Sequence, residues 1–419
     1  MGRNFFLRRW KHWLVVVALI LLGEWFSEVQ ERNESFLALR YRTYQRLQGF
    51  GPRRAVPRFT SLVLIDDDAY WKEPSSGRVP INRRLLASII SRIAQYNPSV
   101  IALDIDLSTG DETTATPVES ERHGKMTLRE HHPFADETRE LVETIADVLP
   151  HQVIVLSEEI GRTDGEHWTR LADVYEGFDF ENDHLRTGFI QLDSDLRKLP
   201  RPLPMRDGLP VDSFSIAASR AANPALFRHE KWDHEVFAGF MESESFPQVT
   251  VSELLKSPDA DAARRFEEMF AHRIVLIGGA WHKLAHGRGT ELIDSHETPV
   301  GTLPGVFVHA NYVEALLDGR ELRLGHTAHV ELPLVIASAI LLSLPLSALA
   351  RVAVILGVVL VPLVFSYFAV QNVGIYFDVF LIDLLLVSHL AIDKVWEWYR
   401  DHMRLHALIA RGIIPAEEH

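Results

Sequence analysis

The sequence predicts an α/β domain with a mostly parallel sheet, held between one N-terminal and three C-terminal membrane helices. Three observations predict it. Short unbroken apolar runs such as Ser61–Ile65 and Arg273–Ile277 are each preceded or followed by a stretch of helical spacing. The apolar residues of the 419-residue chain are otherwise concentrated at its two ends. Lys and Arg lie on one side of every short connection between the end segments.

The first apolar run, about Trp13 to Phe26, follows Arg3, Arg8, Arg9 and Lys11. A secretory signal would end in a small-x-small cleavage site. Here Glu24, Trp25, Phe26 and Ser27 follow instead, and aromatic residues suit a membrane interface, so an uncleaved anchor is expected. Towards the C-terminus, Val330–Leu349, Val352–Val370 and Ile375–Val395 are each close to the ~20 residues that cross a bilayer as a helix. Arg351, and Lys394, Arg400, Arg404 and Arg411, place the first turn and the tail on the cytoplasmic side. The expected organisation is 1–27 basic terminus and first span, 28–327 extracytoplasmic domain, 328–395 three spans and 396–419 cytoplasmic tail. Asp378, Asp383 and His389, with Asp393, are costly in a membrane and should face protein. Inter-helix packing is the first reading of them; a proton path and a signal-transmitting contact are the alternatives.

Within the outer domain, Ser61–Ile65 leads through a Gly/Pro-containing loop to a helix over Asn82–Tyr96. A strand over Val100–Leu107 follows, making a strand–helix–strand unit. Ser108–Glu137 is polar and reads as a loop or insertion. Thr138–Leu149 is the next helix, Gln152–Leu156 the third strand, and Phe189–Leu192 begins another. Ser213–Ala222 and Val251–Leu255 are short helical pieces, and Ala260–Met269 precedes the next strand. Arg273–Ile277 is a strand ending at Gly278–Gly279, and Phe307–Leu317 a helix after it. Strands buried on both faces read as such unbroken runs, which is why a parallel sheet is expected.

Composition excludes several chemistries. The formal charge of -14 argues against a broad nucleic-acid surface. The absence of cysteine excludes disulfides, thiol catalysis and cysteine-ligated zinc. No nucleophile elbow, phosphate loop, zincin motif or dinucleotide fingerprint is present. The candidate site residues are carboxylates at strand ends. Asp66, Asp104 and Asp106 could share a cleft with Asp294 and Arg83, because ligands of open α/β sheets bind outside the carboxyl ends of the strands. Such carboxylates could hold Mg²⁺ or Ca²⁺, or cap helices and pair with Arg83. His282 and His286, four apart, with His296 and His309 nearby, offer a weaker metal reading; Gly287 and Gly289 oppose a helix there. Asp193–Ser194–Asp195 with Arg197 reads as a turn.

Several stretches together resemble the type-two CHASE domain, the extracytoplasmic sensor of bacterial adenylate cyclases, histidine kinases and protein kinases. They are Ile274–Gly278 with Asp294, Thr298–Pro299 and Pro304–Asn311; Leu62–Tyr70 with Gly77, Pro80 and Arg83; Val100–Ser108; and Leu192–Pro200. Phe36–Arg46 resembles the usual start of the domain. The family's Trp-Pro-x-Pro-Arg element is here Val79–Arg83, and Leu196 stands where Gly is usual. The His-Ala-Asn element at His309–Asn311 is structural in the resembling family. The resemblance implies a sensory protein of the inner membrane that detects an unidentified stimulus. Its partners would be the bilayer and a separate cytoplasmic effector, with a homo-oligomer possible. An output domain of on the order of 100–200 residues does not fit in 396–419. No catalysis and no cofactor are expected. The alternatives are an extracytoplasmic metal-dependent hydrolase using Asp66, Asp104, Asp106 and Asp294, and a membrane scaffold subunit.

Overall fold

The computed structural model describes residues 34–49, 57–107, 115–120, 124–129, 135–162, 168–170, 183–205, 210–225, 236–283, 291–323, 348–373, 398–399, 401–404 and 406. The chain divides into two compact units: Gln48–Leu322, and Met1–Leu47 together with Arg323–His419.

Outside the α/β unit in sequence lies α1 (Glu34–Gly49). The α/β unit opens with β1 (Thr60–Ile65), a short α2 (Asp67–Trp71), α3 (Arg83–Ala94) and β2 (Val100–Asp104). Asn82 caps α3, its side chain accepting from the Arg84 and Leu85 amides, and so fixes where the helix starts. An antiparallel hairpin, β3 (Ala115–Ser120) and β4 (Gly124–Arg129), occupies the polar stretch expected to be a loop. Its residues lack the apolar alternation that marks a core-facing hairpin, which is why the pairing was not legible. Next come α4 (Ala135–Val148), β5 (Val153–Glu158), β6 (Ile160–Arg162), β7 (Trp168–Arg170) and β8 (Leu185–Phe189). The short β9 (Leu203–Pro204) and β10 (Pro210–Val211) precede α5 (Phe214–Ala222), β11 (Val236–Ala238) and β12 (Gln248–Thr250). The unit finishes with α6 (Val251–Leu254), α7 (Ala260–Phe270), β13 (Ile274–Gly279), β14 (Ser295–Thr298), β15 (Gly301–Pro304), α8 (Gly305–Asp318) and β16 (Glu321–Arg323).

The six-stranded sheet has the order β12-β1-β13-β2-β5-β8, and every neighbouring pair is parallel. The expectation of a mostly parallel α/β sheet therefore holds. Side chains alternate between its faces. Val63, Ile65, Ile101, Leu103, Val275 and Ile277 pack on one side with Leu86, Ile90, Leu141, Phe266 and Phe270 of α3, α4 and α7. Leu62, Val100, Ala102, Val155, Ile274 and Leu276 pack on the other with Phe214, Val306, Phe307 and Val313 of α5 and α8.

Two glycines let α5 and α8 land on this second face. A Cβ at Gly188 of β8 would lie 2.7 Å from the Phe214 backbone, and one at Gly278 of β13 would lie 2.5 Å from Val306 Cβ. Gly278→Ala should therefore push α8 off the sheet. We expect a loss of about 1–3 kcal/mol or more, read as a lower urea midpoint.

In the other unit, Tyr41 and Tyr44 of α1 are buried. Its longest described helix is α9 (Ala348–Val373, 26 residues). Leu356, Leu360, Val361, Val364, Phe365 and Phe368 of α9 are exposed. Among the described residues no helix is both long and apolar enough to cross a membrane. The spans expected at 13–26 and 375–395, and most of 330–349, lie outside the described residues, as do Asp378, Asp383 and His389.

Candidate functional site

The carboxyl ends of β1, β13 and β2 are neighbours, since Leu64 pairs with Gly278 and Gly278 with Asp104. The sequence-predicted residues gather there, but in three separate groups rather than one cleft.

The first group fastens α2 and the residue before it to α6 and to the loop after β13. Asp66 accepts from Ser252 Oγ at 2.9 Å. Asp67 accepts from the His282 amide at 2.8 Å and contacts His282 Nδ1 at 2.8 Å. Trp71 Nε1 donates to the His282 carbonyl at 3.1 Å, and Tyr70 stacks on Trp281 with ring centres 4.1 Å apart. His282 is thus held by a carboxylate.

The second group surrounds Arg83, which is buried at the start of α3. Its Nη1 donates to Thr138 Oγ1 at 2.6 Å. Burial pulls the guanidinium down to about 10; Arg78 adds to the fall, while Glu137 and Asp106 oppose it. Arg78 forms a two-pronged ion pair with Glu137, whose hydrogen bonds hold that carboxyl below its ordinary value. Asp106 is thus close enough to act on the charge of Arg83.

The third group is the most buried and the most coupled. Asp104 closes β2 on the same face as Val100 and Ala102. Its Oδ1 lies 3.8 Å from His309 Nε2, and His309 Nδ1 lies 3.0 Å from Ser215 Oγ. Ser215 and His309 are both buried. Asp294 sits just before β14 with a left-handed backbone (φ 48°). Its Oδ1 lies 2.7 Å from His296 Nε2, and its carbonyl accepts from the Gly305 amide at 2.9 Å. Only a glycine fits at 305, since a Cβ there would stand 2.0 Å from Asp294 Oδ2. A carboxylate thereby rests at the N-terminus of α8, where the helix dipole favours it.

Burial pushes the Asp104 carboxyl up to about 8; Asp294 adds to the rise and His296 opposes it. Burial pulls the His309 imidazole down to about 4, with His296 adding to the fall and Asp294 opposing it. His296 moves the other way, raised chiefly by its hydrogen bond to Asp294. Burial thus drives both members of the 3.8 Å Asp104–His309 contact towards their neutral forms. The Ser215–His309–Asp104 order has the sequence of roles found in a nucleophilic relay. Its serine is fully buried in α5, where it faces His309 of α8. What the group can do is exchange protons and tie α5, α8 and β2 together.

Among the described residues no group of three or more His, Asp or Glu is placed to hold a metal ion. Asp66 is bonded to Ser252, Asp106 acts on the charge of Arg83, and His282 is engaged with Asp67. His286 lies outside the described residues. The Asp193–Asp195 segment forms the expected turn, with Asp195 bound to Arg197 Nε and Nη2 at 2.7 and 2.8 Å. Asn311 is structural: its side-chain amide bonds the Met241 backbone in both directions. Sequence reasoning missed Ser215, which lies 94 residues from His309 with no spacing signal.

A family model of the CHASE2 domain matches residues 13–349. The chain belongs to the CHASE2 domain family. CHASE2 is a family of extracytoplasmic sensory domains, which supports a sensory role for the α/β unit. The match includes all sixteen described strands of this CHASE2 chain and all three polar groups near the carboxyl ends of the sheet. Comparison with curated proteins and with solved structures gave no match.

Proposed function

We propose that this CHASE2 chain is a multi-pass protein of the inner membrane whose α/β domain detects a stimulus outside the cytoplasm. The family match over 13–349 is the observation that carries this reading. It begins at the first apolar run and reaches the end of the first C-terminal one. The apolar face that α9 leaves exposed supports the membrane placement, since lipid is a solvent in which such a face is stable. So does the distribution of Lys and Arg. In this reading the polar residues Asp378, Asp383 and His389 make contacts between helices, and the domain has no catalytic role.

The output is assigned to a separate cytoplasmic protein that docks on residues 396–419. A stimulus can shift the chain only by binding two of its states unequally. The third polar group is the best-placed element for such a difference, because it joins one strand to the N-terminal halves of two helices. The test is to capture the cytoplasmic partner by cross-linking through the tail and follow its output under a panel of external stimuli. In cells carrying a chain without residues 58–322 the stimulus-dependent part of that output should vanish. Its persistence would refute the reading.

A further inference from the structure

Near the C-terminus, two histidines face each other on one helical segment. Residues 398–399, 401–404 and 406 have helical backbone, and the side chains of His402 and His406 are exposed. They stand four apart, so the helix places them on one face. Their Nε2 atoms are 3.0 Å apart, and their ring centres are 4.4 Å apart with the planes at 84°. Trp398, one turn earlier, stacks on His402 with centres 5.2 Å apart and planes at 11°.

These distances discriminate between three arrangements. A linear imidazole–imidazole hydrogen bond of the same N···N length puts the ring centres about 5.3 Å apart. Two imidazoles on a tetrahedral ion, with metal–nitrogen bonds of ~2.05 Å, have nitrogens about 3.3 Å and centres about 5.2 Å apart. Two in cis positions at a right angle have nitrogens about 2.9 Å and centres about 4.5 Å apart. The right-angle case reproduces both observed distances, as does a strongly bent hydrogen bond, whereas the linear bond and the tetrahedral ion do not. Right angles between nitrogen ligands are the preference of tetragonal and octahedral Ni²⁺ and Cu²⁺ rather than of tetrahedral Zn²⁺.

We infer that His402 and His406 form a two-point clamp for a divalent first-row transition metal ion, with Trp398 holding the His402 ring in place. No third protein ligand stands beside them among the described residues, so water or a partner's side chain fills the remaining positions. This inference does not depend on the sensory reading.

The experiment uses the full-length chain in detergent, titrated with Ni²⁺ by calorimetry. The chain contains 20 histidines, so the difference between variants is the quantity read. His402→Ala and His406→Ala should each remove one Ni²⁺ site per chain or weaken it about tenfold or more. His151→Ala, also at an exposed position, should bind as the parent does. Either clamp variant binding Ni²⁺ with the parent's stoichiometry and affinity overturns the inference. X-ray absorption of the parent chain at one equivalent of Ni²⁺ tests it without substitution: two imidazole ligands are expected, and one or none overturns it.

Discussion

Glu314→Ala is expected to unfold the α/β domain at ambient temperature or leave it close to unfolding. Glu314 is buried in the last turns of α8 and serves the place where the chain enters the sheet. One carboxylate oxygen accepts from the Phe59 amide, the Thr60 amide and Thr60 Oγ1, each at 2.8 Å. The other accepts from the Arg58 amide at 3.2 Å and pairs with Arg320 Nη2 at 3.3 Å. Alanine would strand a buried guanidinium and several amide donors at once. Breaking a buried pair on one side costs about 3–5 kcal/mol, comparable to the whole stability of a modest domain at roughly 5–15 kcal/mol. Asp318, 3.5 Å from Arg320 Nε, offsets part of this. Glu314→Gln keeps an acceptor and should fall between the two. Urea unfolding followed by tryptophan fluorescence measures both.

The second large effect is a loss of stability as pH rises above neutrality. Asp104 has a folded pKa of about 8 against an ordinary value of 3.8. A raised folded pKa gives stability that is complete below the unfolded value and is lost as pH climbs through the folded one. His309, lowered from 6.5 to about 4, works oppositely: its contribution is complete above 6.5 and is lost as pH falls through about 4. Between about 4 and 6.5 the two slopes cancel. Above 6.5 only the downward slope of Asp104 remains, joined by that of His296, whose pKa is raised. Asp104 alone should remove on the order of 2 kcal/mol between pH 6.5 and 8. Asp104→Asn should flatten that decline, and urea midpoints across the range would record it. An unchanged slope in the variant would assign the decline elsewhere.

The same residues show how far a sequence speaks for itself. Unbroken apolar runs located β1, β5 and β13 within a residue or two, because those strands are buried on both faces. β2 was read three residues too long, since Ile105 and Leu107 continue the apolar pattern beyond the last ladder residue, Asp104. β8 was misplaced downstream: it is one of the two edge strands, half-exposed over Leu185–Thr187, and its apolar weight lies in the residues after it. The carboxylates at strand ends were legible as a class. Their partners were not, because those come from elements far away in the chain: Asp104 meets His309 and, through it, Ser215, while Asp66 meets Ser252. Contacts between residues 94 positions apart, such as Ser215 with His309, have no signature in spacing.

The central claim is that the α/β domain and the C-terminal tail lie on opposite sides of a membrane. The chain has no cysteine, so one can be placed at will. Ser257→Cys, at an exposed position in the α/β domain, and Asp401→Cys, at an exposed position in the tail, each give a single reporter. With a membrane-impermeant maleimide applied to cells whose inner membrane is intact, Cys at 257 should label at once. Cys at 401 should label only after permeabilisation. Equal labelling at both positions, or the reverse order, would contradict the claim.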